Sequence, residues 1–281
     1  MAIFSDDLIV LHDDNTVFVD KTADLHTYAR DAYVVALNSA EDRLYLGLYK
    51  PFDTAYVELA VANTNANTFT AEYWNGSAFV SLVEFQDDTV GFTRSGFMKW
   101  KRAQTDWATT TINGELLYFV RFRPSVTHSV TTSIQGINLV FANDIDMSIE
   151  FHKVNDLLGN SRISFILLHE ASRNEIIQRL RNDGHVKYGF SLSSVENITK
   201  WDMLDLGEIN QAAKYLALAK LFFEVSDNPD DKWYQRYKDY SALYNGAFDL
   251  YMLAIDLDDD GVNDPGDTQI ISSVRLTRRN P

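Results

Sequence analysis

Residues 205–225 read DLGEINQAAKYLALAKLFFEV, and this stretch decides how the second half of the chain folds. Asp205 and Glu208 stand three apart ahead of an apolar run, a capping-box variant that starts a helix. Ile209, Ala212, Ala213, Leu216, Ala219 and Phe223 form one stripe at helical spacing. Tyr215, Leu218, Leu221 and Phe222 make the opposite side apolar as well. A helix apolar nearly all round sits at the centre of its domain or between subunits.

The helical pattern extends on both sides. After SDNPDD, where Asp230 or Asp231 can cap, comes DKWYQRYKDYSALYNGAFDLYMLAI, residues 231–255. Its stripe of Trp233, Tyr237, Tyr240, Tyr244, Phe248 and Tyr251 is expected to pack on the preceding helix. A base-stacking platform is the alternative, and the acidic setting opposes it. Upstream, residues 164–184 predict a helix with Arg179 and Arg181 in its last turn and Gly184 just beyond. Residues 185–201 read as a loop or short hairpin, and 149–159 fit a short strand or a helix.

Residues 1–142 have a different pattern. LIVL, TVFV, YVVAL, RLYLGLY, AYVELAV, TFTAEYW, AFVSLVEF, GFMKWK, LYFVRFR and INLVF are short runs rich in Val, Phe, Tyr and Thr. Turn residues separate them, Asn75-Gly76 being a hairpin signal. The expectation is α+β: a β-sandwich domain over 1–142, then a helical domain over 143–281 that ends in a strand and a basic tail.

Near the C-terminus lies DLDDDGVNDPGD, residues 256–267. An EF-type calcium loop places oxygen ligands at positions 1, 3, 5, 7, 9 and 12 with glycine at 6. Here those are Asp256, Asp258, Asp260, the Val262 carbonyl, Asp264 and Asp267, with Gly261 between them. A helix is expected to enter this loop. Asn263, Pro265 and a strand-like exit depart from the pattern, so an acidic helix-to-strand turn is the alternative to a bound Ca2+. Either way the loop would direct the last segment rather than catalyse.

That segment, TQIISSVRLTRR, reads as a strand in need of a partner, with strand addition to a neighbouring subunit as one solution. Ile270, Ile271, Val274, Arg275, Arg278 and Arg279 are the expected docking residues. From 201 to 268 there are fifteen acidic against five basic residues. A basic tail beside so acidic a body suits docking on an acidic partner.

The charge of −15 argues against wrapping nucleic acid, yet suits a passage that DNA slides through. The chain has no cysteine, so disulfides and thiolate chemistry are out. No apolar run of about 18 residues is present, so no membrane span is expected. Nor does MAIFSDDLIVLHDD read as a secretion signal. The six histidines form no HExxH pair, and no GxSxG, GxxxxGK[ST] or GxGxxG occurs. The expectation is a non-enzyme with no required cofactor.

The segment FTAEYWNGSAFVSLVEFQDDTVGFTRSGFMKWKRAQTDWATTTINGELLYFVRFRPSV resembles a β-domain that recurs in virion proteins of tailed phages. HEASRNEIIQRLRNDG, with the two helices described above and DLDDDG, is similar to head-to-tail adaptor proteins, also called connector or head-completion proteins. That resemblance implies a ring of about twelve copies in the virion neck, docked on the portal protein and on tail or neck proteins. It also implies synthesis in the host cytoplasm, a DNA channel used in genome ejection, and no catalytic residues. The N-terminal sandwich departs from minimal adaptors, which are helical throughout. A tail, baseplate or fibre-attachment protein is the alternative within virions. A calcium-dependent carbohydrate-binding module using Trp74, Trp100 and Trp107 is the alternative outside them.

Overall fold

In the strand Glu115–Pro124, the longest among the described residues, Phe119, Val120 and Phe122 are all fully buried. Consecutive strand residues point to opposite faces, so both faces of the sheet around it are covered. The computed structural model describes residues 7–15, 17–26, 33–34, 37, 41–129, 131–159, 164–183, 186–188, 195–248, 252–256 and 268–270. They fall into two compact units, one running to Val140 and one beginning at Phe141. The fold is α+β, with antiparallel sheets in the first unit and mainly helices in the second.

In chain order the first unit contains β1 (Ile9–Asp14), β2 (Val17–Asp20), α1 (Thr22–His26), β3 (Tyr33–Val34), β4 (Arg43–Leu48), β5 (Thr54–Val61) and β6 (Phe69–Trp74). It continues with β7 (Phe79–Ser81), β8 (Gln86–Asp87), β9 (Gly96–Lys99), β10 (Thr110–Ile112), β11 (Glu115–Pro124) and β12 (Ser133–Asn138). One sheet has the order β2-β1-β4-β11-β6-β7, with β10 also paired to β11; the other has the order β3-β12-β5-β9-β8. The two sheets share aromatic contacts. Trp100, just after β9, lies 5.9 Å from Phe122 of β11 between ring centroids, and Phe92 lies 4.7 Å from Phe69 of β6.

The other face of the larger sheet carries a cluster of its own, Leu11, Tyr45 and Phe119, flanked by Phe18 and Phe79. Phe119 pairs with Gly47 across β11 and β4. A Cβ at Gly47 would lie 2.4 Å from the Phe119 ring, so the ring rests on bare backbone. Arg121 Nε donates to Glu72 Oε2 at 2.7 Å, and the guanidinium covers the Phe79 ring at 4.0 Å. This cross-strand ion pair joins β11 to β6 on that face.

Two sequence expectations shift in this unit. AFVSLVEF, residues 78–85, is strand only over Phe79–Ser81 of β7; it leaves the strand through Glu84 at φ 58, and β8 of the smaller sheet begins after it at Gln86. INLVF begins too late, because β12 starts at Ser133 and ends at Asn138. The Asn75-Gly76 hairpin forms as a four-residue turn. Asn75 Oδ1 accepts from the Ser77 and Ala78 amides, and Gly76 takes φ +92.

The second unit contains α2 (Asp144–Glu150), α3 (Ile166–Asn182), β13 (Val186–Tyr188), β14 (Val195–Asn197), α4 (Leu206–Glu224), α5 (Lys232–Phe248), β15 (Met252–Ala254) and β16 (Thr268–Ile270). Asn143 caps α2 in a full capping box with Asp146. Asp144 then accepts from the Phe165 amide and contacts His169 Nε2 at 2.8 Å, which ties the start of α3 to α2. Asn210 of α4 donates to Asp146 Oδ2 and to the Phe141 carbonyl. β13 and β14 form the short hairpin expected within 185–201. The 149–159 stretch ends α2 and then makes a 3-10 turn at Val154–Leu157.

α4 is the centre of this unit. Its buried set includes Ile209, Ala213, Leu216, Leu218, Leu221 and Phe222. Phe222 stacks on Trp233 at 5.6 Å and on Tyr240 at 5.4 Å, so α5 packs along α4 through these members of the expected stripe, whose Tyr251 lies outside the described residues. Among the described residues no helix is long and apolar enough to cross a membrane.

Candidate functional site

Asp205 caps α4 by accepting from the Gly207 amide at 2.7 Å. Glu208, expected to complete the capping box, instead accepts from the Ala254 amide of β15 at 3.0 Å. Ala254 O in turn accepts from the Leu204 amide, and Asp256 N donates to Asp202 O. These bonds hold 252–256 extended against the start of α4. The helix expected to run on to residue 255 is described to Phe248, and Met252–Ala254 is strand instead.

The surroundings of the acidic loop change accordingly. β15 pairs antiparallel with β16, Met252 opposite Ile270 and Ala254 opposite Thr268. The residues between them thus join two strands, and no helix leads in as an EF-type loop requires. Asp256 is buried. Asp258, Asp260, Asp264 and Asp267 lie outside the described residues. Among the described residues no group of three or more His, Asp or Glu side chains gathers at metal-binding distance. The last strand, expected to need a partner from elsewhere, finds β15 in its own chain. Of the expected docking residues Ile270 ends β16; Ile271, Val274, Arg275, Arg278 and Arg279 lie outside the described residues.

The helical unit does carry an open site. α3 and α5 flank α4 and leave a groove of about 570 Å³ between them. Leu216 and Ala219 of α4, Leu168 and Ala171 of α3, and Tyr237 and Ser241 of α5 line it. Lys220 Nζ meets Glu175 Oε2 across it at 2.6 Å, and Glu224 stands at the end of α4. Arg179 donates to Asn245 Oδ1 at 3.0 Å and covers the Phe248 ring at 4.0 Å. Tyr244 is buried in the groove wall, and its hydroxyl meets no partner in hydrogen-bond geometry. Burial raises its pKa, with Arg179 beside it working the other way.

Phe223 lines this groove and is 58% exposed. It is the one exposed aromatic among the described residues. Phe223 belongs to the apolar stripe that helical spacing places on one face of α4. Its exposure could not be read from spacing, because α3 and α5 leave that part of α4 uncovered.

A second arrangement, at the loops of the sandwich, was not legible in the sequence. Asp87 accepts from the Thr89 and Gly91 amides, and Val90, Gly91 and Phe92 all take positive φ, between 52 and 65°. A β-branched and a bulky residue there are strained. Asn63 donates to Gly91 O and accepts from the Ser129 amide, while Asn67 Oδ1 accepts from the Ser125 amide. His128 is buried between Phe69 and Phe92, and both its ring nitrogens lack a partner. Desolvation lowers its pKa to about 4.

The tryptophans are packing residues. Trp100 is buried and donates Nε1 to Phe52 O at 2.6 Å. Trp107 is half-buried against Phe52, Tyr73 and Tyr118, and Trp74 leans on Phe79. Comparison with protein-family models and with curated proteins finds no match for this chain.

Proposed function

We propose that this chain is a structural protein of the phage neck, which assembles as a ring between portal and tail around the DNA channel. The observation that carries the reading is the open groove on α4 with Phe223 exposed in it. An uncovered aromatic beside an apolar groove marks a surface that receives polypeptide. Three further features support it. The chain resembles adaptor proteins in its helical half and a virion β-domain in its sandwich. The net charge of −15 repels DNA phosphates, as the wall of a passage must. The segment after β16 carries Arg275, Arg278 and Arg279, a basic stretch that suits docking on acidic partners, which in this reading are the portal and neighbouring copies.

The protein works by assembly and not by catalysis. The sandwich faces outward in this account and contacts neck or tail components. Deleting the protein from the virus that carries it tests the proposal. DNA-filled heads and free tails, each complete but unjoined, are expected. Joined particles that lack only fibres would transfer the protein to the tail tip.

A further inference from the structure

We infer that the turn over residues 89–92, among the loops of the sandwich, is a clasp that opens in acid: a proton on His128 releases it and uncovers the Phe69 and Phe92 rings. Geometry is the first ground. Phe69, Phe92 and His128 form a closed triangle, with ring centroids 4.7, 5.4 and 5.5 Å apart. All three are buried, and neither ring nitrogen of His128 has a hydrogen-bond partner. An imidazolium there would hold two N–H donors and a charge in apolar surroundings with nothing to receive them.

The charged groups on the elements around His128 are engaged elsewhere. In the turn, Asp87 accepts from the Thr89 and Gly91 amides, Asp88 lies 4.0 Å from Lys99 Nζ, and Arg94 Nε donates to the Asp88 carbonyl. On β6, Glu72 pairs with Arg121 of β11. Arg123 shares that face of β11, opposite to Phe122. Residues 63–68 carry no charged side chain, and neither do 124–127 or 129. The Leu37 carbonyl accepts from the His128 amide, and residues 35–40 read VALNSA. Burial alone therefore acts on the ring, and lowers its pKa to about 4.

The turn is the part that gives way. Val90, Gly91 and Phe92 make one left-handed turn with φ of 52, 65 and 65°, a costly conformation for a β-branched and a bulky residue. Gly91 lies so close to Asn67 that a Cβ there would be 2.4 Å from the Asn67 carbonyl oxygen. A few bonds hold the turn down: Asp87 from within, Asn63 Nδ2 to the Gly91 carbonyl at 2.9 Å, and the Asn63 amide to the Phe92 carbonyl at 2.7 Å. Swinging out residues 89–92 relieves the strain, hydrates His128 and breaks no strand pairing. Val90 and Val126 are already about half exposed. The open form adds two aromatic rings to this apolar surface.

Amide hydrogen exchange on the full chain tests the clasp. The open form binds the proton more tightly, near pH 6.5 against about 4 for the closed form, so acid favours opening. Between pH 7.5 and 5, protection of the Asn63, Gly91, Phe92 and Ser129 amides, corrected for the intrinsic pH dependence of exchange, is expected to fall about thirtyfold. Amides of β4 and β11 should keep theirs, and His128→Leu should abolish the fall. Val90→Gly removes strain from the closed turn, so it should raise protection about fivefold at both pH values and leave the acid response in place. No fall at pH 5 would overturn the inference. So would a fall shared equally by β4 and β11, which means that the sandwich opens as a whole. A fall that persists in His128→Leu would assign the response to another group, Asp87 foremost, and protection lowered by Val90→Gly would remove the strain from the account; either result overturns it.

Discussion

The two units treat their aromatic side chains differently. In the sandwich Phe52, Phe92, Phe119 and Phe122 are all fully buried, and even the outer face of the larger sheet closes over Leu11, Tyr45 and Phe119. In the helical unit Phe222 is buried while its neighbour Phe223 is 58% exposed in an open groove. Among the described residues every aromatic ring of the sandwich is buried or half-buried, whereas the helical unit leaves Phe223 of α4 exposed.

The sharpest way to break this contrast is to remove one ring from each unit. Phe122→Ala should destabilise the sandwich by about 3–5 kcal/mol, because it empties a closed core between the two sheets. Urea unfolding measures the change, and a loss under about 1 kcal/mol would mean that the sheets do not share a packed core.

The next effect depends on pH. The folded-state pKa of His128 is lowered to about 4 from 6.5, so the folded protein favours the neutral ring. The stability this confers is fully present above pH 6.5 and is lost as pH falls toward 4, by on the order of 3 kcal/mol at most. Other groups titrate over the same range, so the comparison is with His128→Leu, whose stability should fall less steeply between pH 6.5 and 4. Parallel curves for the two proteins would show that His128 is solvated or partnered in solution.

Gly47→Ala should cost about 1–3 kcal/mol, since its new methyl displaces the Phe119 ring from the sheet's outer cluster. A variant as stable as the natural chain would show that cluster to be loosely packed. Phe223→Ser sits at the small end, expected within about 0.5 kcal/mol of the natural protein. A large loss there would mean that Phe223 is core in solution and would erase the difference between the two units.

The strands of the sandwich were legible because turn residues punctuate short β-branched and aromatic runs. Errors arose where non-local pairing overrode a local pattern. YMLAI continues the helical stripe of α5, yet Met252–Ala254 is strand, held by Thr268–Ile270, Leu204 and the Glu208 carboxylate. That pairing moved Glu208 out of its expected cap and removed the helix leading into the acidic loop. AFVSLVEF is cut short after Ser81, where Glu84 takes positive φ and the chain turns toward the smaller sheet that β8 joins at Gln86. The aromatic stripe of α5 was readable from spacing, and so was α4 as a central helix. The groove was not, because it is set by how far apart α3 and α5 lie, which neither helix encodes alone. The orphaned His128 was also hidden, since SVTHSV looks like an ordinary polar loop until Phe69 and Phe92 close around it.

The central claim, that the protein assembles at the phage neck, is met most directly by electron microscopy of intact particles labelled with an antibody against this chain. Label at the head–tail junction is the predicted result. Label confined to the tail tip or fibres, or absent from every particle while the antibody binds the free protein, would contradict it.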